Sequence, residues 1–134
     1  KYKNPNILDE KNIMSVSNAL QKDELSCMDF EQAVSSAKKG DFIYFDPPYH
    51  PISQTASFTS YTKESFSEKD QERLAKLFKE LDERGCFLML SNSYAPLILK
   101  LYKGFKMHTV KATRMINCKA EGRGKIKELI IKNY

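Results

Sequence analysis

The segment that most restricts what this chain can fold into is Phe42-Ile43-Tyr44-Phe45, which stops abruptly at Asp46-Pro47-Pro48-Tyr49. Four successive apolar or aromatic residues without alternation are the pattern of a strand buried on both faces, and parallel sheets are built from such strands. Two consecutive prolines cannot donate to a ladder, so the chain must leave the sheet at Asp46. Ligands of open α/β sheets bind outside the carboxyl ends of the strands, which is where this tetrapeptide falls. A proline-terminated strand with an ordinary turn gives the same four residues. A polar loop and then a helix follow, as in a strand–site–helix unit, and this favours a site.

The other elements follow from period and caps. Ile13, Val16 and Leu20 recur at helical spacing, predicting a helix over Asp9–Leu20 with Asp9 as cap. Leu25–Met28 reads as a short strand. Asp29 would cap a helix running to Lys38, with Gln32 at capping-box spacing, and Gly40 would end it. Residues 50–66 read as a polar loop. Ser67 opens the clearest amphipathic helix, with Leu74, Leu77, Phe78 and Leu81 on one face, stopped by Gly85. Cys86–Leu90 reads as a second buried strand, with Ser91-Asn92-Ser93 as a turn. A helix over Ala95–Tyr102 carries Pro96 in its first turn. Met107–Thr113 and Glu128–Ile131 read as a closing antiparallel pair joined by Gly122-Arg123-Gly124. The expected class is α/β: a mostly parallel sheet with helices on both faces, in one domain or part of one.

Composition narrows the function classes. No apolar run approaches the roughly 18–20 residues of a membrane span. Three cysteines without CxxC spacing argue for reduced thiols in an intracellular, cytoplasmic protein. With two histidines, a metal-free protein is expected. The formal net charge is +5, and between Lys106 and Lys127 seven Lys or Arg stand against Glu121 alone. Such a stretch suits phosphate contact, although charge by itself serves a solvated surface equally well.

Asp46-Pro47-Pro48-Tyr49 is the hallmark tetrapeptide of amino-directed DNA methyltransferases. Together with DFIYFDPPYHPISQTASFTSYTKESFSEKDQERL, LSNS and the closing RGKIKELIIKNY, the chain resembles the Dam-like adenine branch over nearly its whole length. The resemblance implies a Rossmann-like methyltransferase fold, S-adenosylmethionine as cofactor and double-stranded DNA as substrate. It implies transfer to the N6 amine of an adenine rotated out of the duplex, in a GATC-like site. The chemistry suits the residue types. The exocyclic amine is a poor nucleophile because its lone pair is delocalised into the ring. Two hydrogen-bond acceptors, the Asp46 carboxylate and the Pro47 carbonyl stiffened by Pro48, would draw that lone pair out, and Tyr49 would stack on the base. Asp29 and Phe30 match the position that meets the cofactor's adenine, though spacing alone reads them as a helix cap and a core aromatic. Asp46 would also face the cofactor. Ser57 and Thr59 in the polar loop, with Arg114, Asn117, Lys119 and Arg123, fall where the family meets DNA. Asn92 reads as a turn former.

Two departures bear on function. The five glycines form no cluster of the kind that cradles the methionine part of the cofactor, and no target-recognition segment precedes Lys1-Tyr2-Lys3-Asn4-Pro5. The chain therefore reads as the carboxyl-terminal portion of a catalytic domain, weakly binding and inactive alone. The strand carrying Asp46 would then have an unpaired apolar edge open to self-association. A bacterial or phage source and a cognate restriction endonuclease are the family's expectations. A catalytically silent DNA-binding module is the competing class, and transfer to cytosine N4, RNA or a protein amide is the competing chemistry.

Overall fold

The computed structural model describes residues 8–52, 66–113 and 125–134. Its best-specified element is the helix α3, Glu68–Glu83. The Ser67 hydroxyl accepts from the Asp70 amide and the Asp70 carboxylate accepts from the Ser67 amide, a reciprocal capping box. Leu74, Leu77, Phe78 and Leu81 form its buried stripe. The helix ends where Gly85 takes a φ of +82°, which a side chain would strain. Before it come α1 (Glu10–Leu20), the single turn α2 (Phe30–Ala33) and the strand β1 (Phe42–Phe45). After it come β2 (Phe87–Ser93), α4 (Pro96–Leu101), β3 (Lys106–Thr113) and β4 (Lys125–Lys132).

The four strands form one sheet in the order β1-β2-β4-β3. β1 runs parallel to β2, whereas β4 is antiparallel to both β2 and β3. The register Phe45↔Leu90, Leu90↔Ile131 and Ile131↔Met107 puts these four residues on one face. Leu88 and Leu129 join that face, and with α3 and α4 they build the core. Phe78 lies at its centre, with ring centroids 5.3 Å from Tyr102, 4.9 Å from Phe105 and 6.4 Å from Phe45.

The α/β order and the closing antiparallel pair are as expected, but several details differ. β1 alternates between exposed and buried, because no described helix covers the second face of the sheet, where Phe42, Tyr44 and Phe87 are half-exposed. Among the described strands one pairing is parallel and two are antiparallel, since β4 inserts between β2 and β3. Residues 25–28 form no strand: a ladder needs a partner, and none of the described strands pairs with them, so Leu25 and Met28 are exposed. The helix expected to reach Lys38 stops after one turn, where the Ser35 hydroxyl bonds back to the Gln32 carbonyl and three-residue turns lead to Gly40. Ser91-Asn92-Ser93 is not a turn; it extends β2, paired in register with Ile130, Leu129 and Glu128. The Gly122-Arg123-Gly124 connection lies outside the described residues. α1 buries none of its residues, and among the described residues no helix is long and apolar enough to cross a membrane.

Tyr102 gives a direct stability test. Its hydroxyl is buried with no hydrogen-bond partner among the described residues, and burial holds its pKa far above the ordinary phenol value. Tyr102→Phe removes an orphaned hydroxyl and is expected to stabilise the fold by about 1 kcal/mol, read from the urea midpoint. The pH dependence has a definite sign. The unfolded chain releases this proton near pH 10, before the folded chain does, so wild-type stability falls as pH rises above about 10. The Phe variant should lose that part of the alkaline decline. An equal decline in both proteins would assign it to other groups.

Candidate active site

The end of β1 is where side chains from three elements converge. Asp46 is exposed, and its Oδ1 accepts from the Ser91 hydroxyl at 2.5 Å. Ser91 in turn accepts from the Tyr44 hydroxyl at 3.0 Å. The Tyr44–Ser91–Asp46 chain uses one carboxylate oxygen and leaves Oδ2 without a donor among the described residues. Tyr49 keeps 37% of its surface exposed, so its ring is available for stacking. Partial burial lifts its phenol above the ordinary pKa of 10.0, with Glu128, Asp46 and Tyr44 adding to the effect and a bond to Ser91 opposing it. A neutral ring follows, suited to packing on a base rather than to acting as a base catalyst.

The backbone of residues 48–50 is held from behind. Gln71 Nε2 on α3 donates to the Pro48 carbonyl at 2.9 Å, and the His50 amide donates to Asn92 Oδ1 at 3.0 Å. The Ser93 hydroxyl donates to the His50 carbonyl at 2.6 Å. Among the described residues nothing donates to the Pro47 carbonyl. His50 Nε2 lies 3.4 Å from the Glu68 carboxylate.

Asp29 and Phe30 sit at a separate edge of α3. Asp29 caps α2 by accepting from the Glu31 amide, and both its oxygens accept from Arg73. The Arg73 guanidinium lies 4.8 Å over the Phe30 ring and also bonds Glu31 and Asp70. These acids hold its pKa above the ordinary value, Glu31 contributing most and Asp29 next. The cap and the packed aromatic that spacing alone suggests are both present. The carboxylate is still about two-fifths exposed and keeps lone pairs for another donor, so the pair remains chemically suited to an adenine ring.

Ser57, Thr59, Arg114, Asn117, Lys119 and Arg123 lie outside the described residues. The adjoining hairpin is described: Lys111 is paired directly with Lys127, and Lys106 with Lys132. Like charges placed opposite each other destabilise a bare hairpin, so the Lys111–Lys127 pair, on the other face of the sheet from Lys106–Lys132, suits an anionic neighbour. Lys127 Nζ also lies 5.4 Å over the exposed Tyr94 ring. No group of three His, Cys, Asp or Glu side chains among the described residues could hold a metal ion.

Sequence reasoning missed Tyr44, Gln71, Ser91 and Ser93 and misassigned Asn92. A signal was present for two of them. Gln71 lies three and seven residues before Leu74 and Phe78, on the apolar stripe of its helix. Asn92 continues the alternation Leu88, Leu90 onto the core face. A polar amide at a core position asks for a partner.

Comparison with known proteins supplies the remaining finding. Residues 1–116 match the model of the D12 class N6 adenine-specific DNA methyltransferases. The chain is 52% identical to Type II methyltransferase M1.LlaDCHI of Lactococcus lactis subsp. cremoris, over 100% of this chain and 48% of that protein. It is 51% identical to Type II methyltransferase M.MjaIII of Methanocaldococcus jannaschii, over 100% of this chain and 47% of that protein. A DNA adenine methylase of Vibrio cholerae is 35% identical over 96% of the chain and 47% of its own length. The chain thus spans about half the length of the curated relatives it matches.

Proposed function

The chain belongs to the D12 class of N6 adenine-specific DNA methyltransferases, and from that premise we propose that it carries the acceptor half of the reaction centre for methylating adenine N6 in DNA. The observation that carries the reading is the Asp46 carboxylate, fixed on one oxygen by Ser91, with no donor among the described residues to its other oxygen or to the adjacent Pro47 carbonyl. Two acceptors on adjacent residues suit the two N–H bonds of an exocyclic amine. Hydrogen bonds to both draw the nitrogen lone pair out of conjugation, and this gain is largest as positive charge develops on the nitrogen. Asp46 need not be a strong base, because the amine becomes acidic only as its new bond to carbon forms. Tyr49 supports the flipped base through its exposed ring.

The methyl donor proposed is S-adenosylmethionine, which when bound supplies an electrophilic methyl group on a sulfonium centre. Asp29 and Phe30 would hold its adenine, the carboxylate accepting from the amine and the ring packing against it. Arg73, bonded to both oxygens, orients the carboxylate for that contact. Lys111 and Lys127, with the Tyr94 ring, would meet the DNA backbone, and a GATC-like sequence is the proposed target. The test is transfer of label from S-adenosylmethionine to duplex DNA by the natural polypeptide, with the modified nucleoside identified. Label as N6-methyladenine, concentrated in GATC duplexes, is expected. Label on cytosine would overturn the adenine assignment, and no label in any sequence context would favour a silent binding module.

A further inference from the structure

Asp46-Pro47-Pro48-Tyr49 cannot hold itself in place. Pro47 and Pro48 have no N–H, so the segment lacks two of the donors a backbone normally uses for anchorage. Beside the Ser91 bond to Asp46 and the Ser93 bond to His50, its anchorage comes from a buried pair of amides. Gln71 and Asn92 are both fully buried, and Asn92 Nδ2 donates to Gln71 Oε1 at 3.1 Å. The direction of this relay is forced at both ends. The His50 N–H can only donate, so Asn92 must present its oxygen there, where the Ser93 amide also donates at 2.8 Å. The Asn92 NH₂ then faces the Gln71 oxygen, and the Gln71 NH₂ faces the Pro48 carbonyl, which can only accept. Every amide atom has one permitted orientation.

Burying two amides on an otherwise apolar face costs free energy that Leu or Met would not, and a satisfied network returns it mainly as unique geometry. That geometry bears on the reaction. Ring closure fixes φ of both prolines, and the residue before a proline is confined to extended ψ. Pro47 is such a residue, so its carbonyl direction follows from the plane of Pro48. The bond from Gln71 fixes that plane.

We propose that Gln71 and Asn92 are positioning residues of the methyl transfer: by holding Pro48 and His50 from behind, they aim the Pro47 carbonyl at the substrate amine. The proposal rests on the methyltransferase reading above. Both side chains are fully buried and act through the backbone they hold. Gln71→Met keeps length and burial while removing the donor. Gln71→Glu keeps shape but sets a carboxylate oxygen against the Pro48 carbonyl.

The experiment is single-turnover methyl transfer by the natural polypeptide carrying each variant, normalised to folded protein, with cofactor and duplex affinities measured alongside. Misplacing a reacting group by an ångström costs up to about 10²-fold, so the expected loss is roughly 10- to 100-fold in the transfer step, with both affinities changed less than about threefold. The Glu variant should recover relative to wild type as pH falls. Its buried carboxyl titrates above the usual range, and once protonated it can again donate to Pro48. A merely structural role would not produce that pH profile. Unchanged transfer per folded molecule in both variants, or a loss explained wholly by weaker binding, would overturn the proposal. Wild-type protein run in parallel separates the two levels: absence of N6-methyladenine from wild type refutes the functional reading. Amide exchange at His50 then decides the clamp. Exchange at least about tenfold faster in Gln71→Met supports it, and unchanged exchange overturns it.

Discussion

Asp46→Ala is expected to reduce methyl transfer by at least about 10²–10³-fold, the cost typical of removing one preorganised polar group from a reaction centre. The fold should survive. Asp46 lies beyond the last residue of β1, is exposed, and bonds only the Ser91 hydroxyl among the described residues. Ser91 keeps its contact with Tyr44 when the carboxylate is gone. Surface substitutions of this kind change stability by about 0.5 kcal/mol or less, so thermal unfolding should be nearly unchanged. Asp46→Asn refines the test. It preserves shape but offers an NH₂ where the amine needs an acceptor, and it removes the charge that offsets the cationic nitrogen. A loss close to that of Ala is expected. A variant retaining more than a tenth of the wild-type transfer rate would exclude Asp46 as the principal acceptor.

Legibility differed between the parts of the molecule for physical reasons. The tetrapeptide after β1 could be read because prolines forbid continuation of the strand, a constraint set by covalent structure alone. α3 could be read because Ser67, the apolar stripe and Gly85 agree on its start, face and end. The strand expected over 25–28 failed because a strand is a pairing and not a local propensity: none of the described strands pairs with this short stretch. The helix expected to reach Lys38 ends after Ala33, where the backbone passes into turns that bond Ser35 to Gln32 and Ala37 to Val34. Asn92 was the more instructive miss. Ser-Asn-Ser carries strong turn propensity, yet antiparallel pairing with Leu129 and its neighbours holds it in β2. Tertiary pairing across some forty residues of sequence outweighs a preference of a few tenths of a kcal/mol. The loop and hairpin residues expected to meet DNA fall outside the described residues, so the expected site residues that the structure describes are Asp29, Phe30 and Asp46–Tyr49.

The largest stability effect is expected from Phe78→Ala, because that side chain lies at the centre of the core. Phe78 is fully buried and packs edge-on against Tyr102 and Phe105, with Phe45 on a third side. Truncating a buried Phe removes its transfer free energy and leaves a cavity, together costing about 3–5 kcal/mol. Domains of this size hold roughly 5–15 kcal/mol in all, so the urea midpoint should fall by about a fifth or more while the slope is retained. Phe78→Leu fills most of the space and should cost less than half as much. A loss below about 1 kcal/mol for Ala would show that the site collapses freely and is not the packed centre described above. The kinetic expectation runs opposite to that for Asp46. Phe45 immediately precedes Asp46, but the turn beyond it is also tied to Gln71, Asn92 and Ser93, whose bonds do not pass through Phe78. Methyl transfer per folded molecule should therefore fall less than about tenfold in Phe78→Ala, even where most of the protein is unfolded at the assay temperature. A much larger fall per folded molecule would mean that the core, and not the buried amide pair, sets the geometry of the acceptors.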